Sequence, residues 1–144
     1  MSVRAVIDTN IWVSALINPA GYPAGIRKAF EERLFETIIS EPILKEIADV
    51  LNRPRIKDKY GITEADIQEY LILIEERSEH VLVSGVVSIC RDKEDDFVIE
   101  TAIKGKAKYL ITRDDDIKSD INVSDFLLKS GISVISVAKF LKLI

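Results

Sequence analysis

Four short apolar runs lie far apart in this chain: "VRAVI" at 3–7, "ETIIS" at 36–40, "KYLIT" at 108–112 and "ISVIS" at 132–136. Each is nearly continuous rather than alternating. Alternation marks a sheet with one wet face, whereas continuity marks strands covered on both faces, as in a parallel sheet flanked by helices. "HVLVS" at 80–84 reads as a further strand or an extended connection. Helical patterns fill the intervals. "IRKAFEERLF" puts Ile26, Ala29, Phe30 and Leu34 on one face. Ser40 stands where it can cap a helix that has Pro42 in its first turn and runs to about Leu51. Thr63 and Asp66 resemble a capping box, opening a helix that buries Ile67, Tyr70, Leu71 and Ile74. "DFVIETAIKG" ends with Gly105 as a C-cap, Ser124 begins another helix, and "VAKFLKLI" forms the last. "NRPRIKDKYGIT" is the one clear break and reads as a link between two helices. Strands alternating with helices give an α/β fold around a parallel sheet. A length of 144 residues suits a single domain over 1–144 with a sizeable core.

Composition removes most chemistries. The chain holds one histidine, His80, and one cysteine, Cys90. Together they fall short of the roughly four Cys/His ligands of a structural zinc site. His80 reads as an ordinary residue at a helix end. A single cysteine forms no internal disulfide, which fits a reducing compartment. The N-terminus makes a poor signal peptide because Asp8 and Asn10 interrupt its apolar stretch. No run of 18 apolar residues exists to span a membrane. The expected location is the cytoplasm. The formal charge of −4 argues against a generally basic nucleic-acid binder while leaving room for a local basic groove. Nucleophile elbows, P-loops and dinucleotide-binding glycine turns are absent from the sequence. Carboxylates remain.

Asp8 ends the first apolar run, and Asp114 and Asp116 follow the third. In open α/β sheets, sites form outside the carboxyl ends of the strands, so these residues can meet across a hundred positions of sequence. Two helices add to them. With Ile43 at zero on a helical wheel, Glu46 falls about 60° away, at the edge of the apolar stripe. Asp95 falls about 20° from Ala102 and about 60° from Val98, inside the stripe, whereas Asp96 falls about 160° from Val98, with an easier route to water. Clustered carboxylates repel one another unless cations neutralise them. Oxygen-only ligation selects hard ions, Mg²⁺ or Mn²⁺. A metal ion is therefore the expected partner that lets Asp8 sit at the end of a buried strand. A metal so held can activate water and stabilise charge on a phosphodiester.

The stretches "VIDTNIWVSAL", "SEPILKEIADVLNRPRI" and "CRDKEDDFVIETAIKGKAKYLITRDDDI" together resemble the PIN-domain family, specifically its single-domain prokaryotic toxins of toxin–antitoxin pairs. The resemblance covers nearly the whole chain in the same order. It implies a three-layer α/β/α sandwich with a central parallel sheet of four or five strands. It also implies a Mg²⁺- or Mn²⁺-dependent endoribonuclease. The family's acidic residues carry over to Asp8, Glu46, Asp95 and Asp114, as catalytic and metal-holding residues. Asn10 and Thr112 match supporting polar positions, and Asp116 one that is often acidic. The "DD" pair leaves the third carboxylate ambiguous between Asp95 and Asp96; the wheel favours Asp95, with Asp96 in support. Family members often dimerise, and an antitoxin holds the toxins inactive, so the partners implied are RNA, an antitoxin and a second copy.

Two other readings compete. A Mg²⁺-dependent phosphatase or phosphotransfer domain also places Asp at strand ends, but the expected D-x-D-x-T or adjacent acids after the first strand are missing. A non-catalytic nucleic-acid-binding domain would not need all four acidic positions filled. For substrate binding, "RPRIKDKYG" offers Arg53, Arg55, Lys57 and Lys59 against one acid, Asp58. It is either a solvated connector or a contact for RNA phosphates.

Overall fold

The computed structural model describes residues 3–90, 93–113, 117 and 120–144; the side chains of 93 and 94 lie outside that description. Five strands, β1 (Arg4–Ile7), β2 (Glu36–Ile39), β3 (Glu79–His80), β4 (Tyr109–Ile111) and β5 (Ser133–Ile135), form one sheet in the order β3-β2-β1-β4-β5. Every neighbouring pair is parallel. The four continuous apolar runs supply β1, β2, β4 and β5. Of the fifth candidate, 80–84, only His80 lies in a strand, β3, and the chain from 81 to 90 continues without regular structure.

Eight helices are described: α1 (Thr9–Ile17), α2 (Tyr22–Glu31), α3 (Glu41–Leu51), α4 (Pro54–Tyr60), α5 (Glu64–Arg77), α6 (Lys93–Lys104), α7 (Ile121–Lys129) and α8 (Val137–Leu143). From β1 the chain steps to β2 and then β3, and afterwards crosses back to β4 and β5 on the other side of β1. Right-handed crossovers then put α1, α2, α3 and α5 on one face of the sheet, and α6 and α7 on the other. The core is anchored by Trp12, whose ring stands edge-on to Phe30 at 5.1 Å between centroids and to Tyr70 at 6.3 Å. The Tyr70 hydroxyl donates to the Trp12 carbonyl at 2.6 Å, and burial pushes its pKa up.

The capping box of Thr63 and Asp66 is present, and α5 buries Ile67, Tyr70 and Ile74, with Leu71 half-buried. Several local expectations fail for identifiable reasons. α2 stops at Glu31 because Arg33 turns left-handed (φ 59°), which throws Leu34 outward, 50% exposed, and leaves Phe35 in the core. The 54–60 link contains the helix α4: Pro54 sits in its first turn and Gly61, at φ 61°, ends it. α7 begins at Ile121 rather than Ser124, because the Asp120 carboxylate accepts from the amides of Asn122 and Val123. Gly105 directly follows α6 as its C-cap, as expected, while the left-handed conformation falls on the next residue, Lys106 (φ 53°). Gly105 also serves close approach, since a Cβ there would stand 2.4 Å from Ile38 Cγ2. His80 lies on β3, its Nε2 at 2.9 Å from the Glu75 carbonyl. No helix among the described residues is long and apolar enough to cross a membrane.

Candidate active site

The registers of β1 place a row of residues along the carboxyl edge of the sheet. Ala5 pairs with Thr37 and Ile7 with Ile111. Continued past the strand ends, these registers set Asp8 beside Ser40 on one side and Thr112 on the other. All three are buried, at 4%, 0% and 0% exposure. The reversal of strand order falls between β1 and β4, so Asp8 and Thr112 flank the topological switch point, where open α/β sheets form their crevice.

Asp8 has two local tasks. It is the N-cap of α1, in extended conformation, and one carboxylate oxygen accepts from the Thr9 amide at 2.7 Å. The other oxygen accepts from the Thr112 hydroxyl at 2.6 Å, and the Asp8 amide donates to the Ile111 carbonyl at 3.0 Å. The carboxylate is thus fixed from both sides. The partial positive charge of the α1 N-terminus favours its ionised form. Asn10, in the first turn of α1, is exposed.

Ser40 occupies the N-cap position of α3 but makes no side-chain cap. Its hydroxyl lies 2.7 Å from that of Thr101 on α6, and Thr101 in turn donates to the Phe97 carbonyl at 2.6 Å. Just past the same C-terminal end of α6, the Arg4 guanidinium donates to the Gly105 carbonyl at 2.6 and 3.1 Å. The Ser40–Thr101 contact fixes the height of α6 against the sheet. With Thr101 level with Ser40, Asp95, six residues earlier, stands about 9 Å further along the axis, beyond the strand ends. Asp95 is buried at 8% exposure. Glu46 is half-buried on α3, beside the buried Ile43 and Ile47, as the wheel places it. The topology therefore brings Asp8, Thr112 and the first turns of α6 to one edge of the sheet. Asp114 and Asp116 lie outside the described residues. Among the described residues, no group of three His, Cys, Asp or Glu side chains is close enough to hold a metal ion.

Asp96 departs from expectation. It does not face water; at 5% exposure it is as buried as its neighbour. Its carboxylate accepts from the amides of Ile89 at 3.0 Å and Cys90 at 2.7 Å. The wheel treats the side of α6 away from the sheet as solvent, but the 81–90 strap covers it. One turn along, Glu100 repeats the device, and the sequence reading missed it. Its oxygens accept from the amides of Ser84 (2.6 Å), Gly85 (3.0 Å) and Val86 (3.1 Å), and Lys104 stands 3.2 Å away. Burial alone would raise its pKa, yet the amides and the Lys104 ammonium outweigh burial and bring it down to about 2. The available signal was the spacing of four between Asp96 and Glu100, which puts both on one helical face.

Of the candidate RNA contacts, Arg53 and Arg55 are exposed at the start of α4. Lys57 is half-buried and held by Glu64 at 3.2 Å and Asn52 at 3.5 Å. A cavity of about 590 Å³ between Arg27, Tyr60 and Tyr70 contains none of the predicted site residues.

The family model of the PIN domain matches residues 4–116. The chain is 34% identical over 119 residues to the uncharacterised protein MJ1680 of Methanocaldococcus jannaschii, covering 83% of this chain and 76% of that protein. Among solved structures it is similar in fold to VapBC2 from Rickettsia felis, bound to a DNA fragment from their promoter. That match has a TM-score of 0.56 at 16% identity, over 93% of this chain and 98% of the other. FitAcB from Neisseria gonorrhoeae is similar to the same extent, with a TM-score of 0.55 at 15% identity, again over 93% and 98%.

Proposed function

Because this chain belongs to the PIN-domain family, whose members are generally nucleases, we propose that it is a Mg²⁺- or Mn²⁺-dependent endoribonuclease and the toxin of a toxin–antitoxin pair. The observation that carries this reading is the buried Asp8 carboxylate at the switch point, fixed by the Thr112 hydroxyl and the Thr9 amide. The partner proposed for it is a divalent cation bound directly by Asp8 and Asp114, with Asp95 and Glu46, which form no close group with Asp8 among the described residues, reaching it through bound waters. The donor chemistry fits, because Asp8, Asp95 and Glu46 offer only oxygen, which suits hard ions.

When bound, such an ion supplies water activation at neutral pH and charge stabilisation at the phosphodiester. The chain's own residues do the rest. Thr112 and the Thr9 amide hold Asp8 in one rotamer, so the site is organised before substrate arrives. The Ser40–Thr101 contact holds α6 at the height that brings Asp95 over the strand ends. Asp96 secures the segment entering α6 and so supports Asp95 from behind. Exposed Asn10, and Arg53 and Arg55 on α4, are proposed to contact the RNA. An antitoxin partner is supported by the sequence resemblance and by the fold shared with VapBC2 and FitAcB.

The test is cleavage of end-labelled RNA by purified protein with Mn²⁺, with Mn²⁺ plus excess EDTA, and with Asp8→Asn in place of the parent. Internal cleavage should appear in the first case and be lost in the other two. Cleavage that persists in EDTA would overturn the metal-dependent reading.

A further inference from the structure

We infer that Arg113 is a substrate-binding residue that grips a backbone phosphate flanking the scissile one, and that Ser14 presets its guanidinium for that task; the inference rests on the ribonuclease reading. Arg113 directly follows Thr112, the residue whose hydroxyl holds the Asp8 carboxylate. It is therefore placed at the switch point by the same register that places Asp8. Its side chain is exposed and runs along α1, where one terminal nitrogen donates to the Ser14 hydroxyl at 2.7 Å. Among the described residues it makes no ion pair.

That arrangement is informative because of the surroundings. A cation at the rim of an acidic site would ordinarily swing in and neutralise the acids. Here a neutral hydroxyl, 99 residues away in sequence, holds it to the side. A guanidinium carries five N–H donors in a planar fork, and the bond to Ser14 occupies one of them. The fork suits a phosphate, which it can engage through two parallel bonds. Fixing it beforehand lowers the ordering cost of binding.

Position separates a flanking phosphate from the scissile one. Ser14 lies six residues beyond Asp8 on α1, about 9 Å along the helix axis. The guanidinium is therefore offset from the carboxylates rather than above them. Exposed Asn10 is four residues before half-buried Ser14 and on the same side of α1, so Asn10, Ser14 and Arg113 mark a polar strip leading away from Asp8. In a chain with a net charge of −4, a polyanion needs such local cations to approach acids at all.

The experiment measures the affinity of the full chain for a fluorescently labelled single-stranded RNA, in EDTA, across a salt series. It is paired with Mn²⁺-dependent cleavage kinetics. Parent, Arg113→Ala, Arg113→Lys and Ser14→Ala are compared, with melting temperatures taken as controls. Arg113→Ala should weaken binding about tenfold, the worth of one charge-assisted contact. It should also flatten the salt dependence by about 0.7 of a unit, the single-strand value for one phosphate contact. The loss should fall on KM rather than kcat. Arg113→Lys should keep the salt slope while losing part of the affinity, and Ser14→Ala should cost a few-fold. If the parent cleaves RNA while Arg113→Ala keeps its affinity and salt slope, the inference is overturned and the ribonuclease reading stands. A fall in kcat with KM unmoved would also overturn it, since Arg113 would then act on the chemistry. A parent that neither binds nor cleaves RNA would overturn the ribonuclease reading, and this inference with it.

Discussion

The two edges of the sheet handle charge in opposite ways. At the amino edge, Arg4 begins β1 and pairs with Glu36 of β2 and Glu79 of β3, while also donating to the Gly105 carbonyl. Both acids are about half exposed, and opposite charges meet directly. At the carboxyl edge, the same strand ends in an acid that is 4% exposed, and its described hydrogen bonds come from a neutral amide and a neutral hydroxyl. An edge closed by ion pairs has little left to offer a ligand. An edge where a buried acid is held in one orientation by an amide and a hydroxyl presents its carboxylate at the switch point, where a ligand enters. The difference separates carboxylates that hold the fold from carboxylates proposed to work.

The same contrast recurs one residue apart on α6, where it predicts the largest effect. Asp96 is committed to the amides of Ile89 and Cys90, whereas Asp95 stands beyond the strand ends. Asp95→Asn should lower turnover on the order of a hundredfold or more, the scale of a contribution worth several kcal/mol. Asp96→Asn, which keeps an acceptor oxygen for the amides, should cost less than about tenfold. Cleavage assays at saturating Mn²⁺, on variants shown to be folded, decide between them. A dead Asp96→Asn beside an active Asp95→Asn would reverse the assignment.

Glu100 supplies a test by acidity. Its folded pKa of about 2 lies below its ordinary value of 4.5, so its stabilising effect is fully present above about pH 4.5. The effect is lost as pH falls toward 2. Denaturant unfolding of the parent should show this loss between those limits. Glu100→Gln should be less stable at neutral pH and show a shallower decline. Parallel pH profiles for the two proteins would remove Glu100 from the fold-holding class.

The smallest effect belongs to the amino edge. Arg4→Ala breaks partly exposed pairs worth about 1 kcal/mol or less. The lost bonds to the Gly105 carbonyl add a similar amount. Melting temperature should fall by a few degrees while metal-dependent cleavage stays close to the parent rate. A collapse of cleavage in folded Arg4→Ala would mean that the two edges are not separable.

How far the sequence foretold this depends on where each signal lies. Asp8 and Thr112 were legible because each directly ends an apolar run, and parallel strands in one sheet bring such ends together. Glu46 was legible from the wheel because α3 is a regular helix with a clear apolar stripe. The capping box at Thr63 was legible because its partners are three residues apart. Asp96 and Glu100 were misread or missed because their partners are amides of the 81–90 strap, which has neither a 2- nor a 3.6-residue period. The tie of Ser40 to Thr101 was hidden for a related reason: a serine before a helix looks like a cap, and only tertiary contact shows its hydroxyl pointing elsewhere. Leu34 was misplaced because nothing in the helical pattern announces a left-handed arginine at position 33. Arg113 went unnoticed because a single arginine beside three aspartates reads as ordinary surface charge until Ser14 is found beside it.

Calorimetric titration of Mn²⁺ into metal-free protein, comparing the parent with Asp8→Asn, Asp95→Asn and Asp96→Asn, tests the central claim most directly. Saturable binding is expected in the parent, weakened strongly by Asp8→Asn and Asp95→Asn and only modestly by Asp96→Asn. Absence of binding in the folded parent, or equal binding by the parent and Asp8→Asn, would contradict a cation site at the carboxyl edge of the sheet.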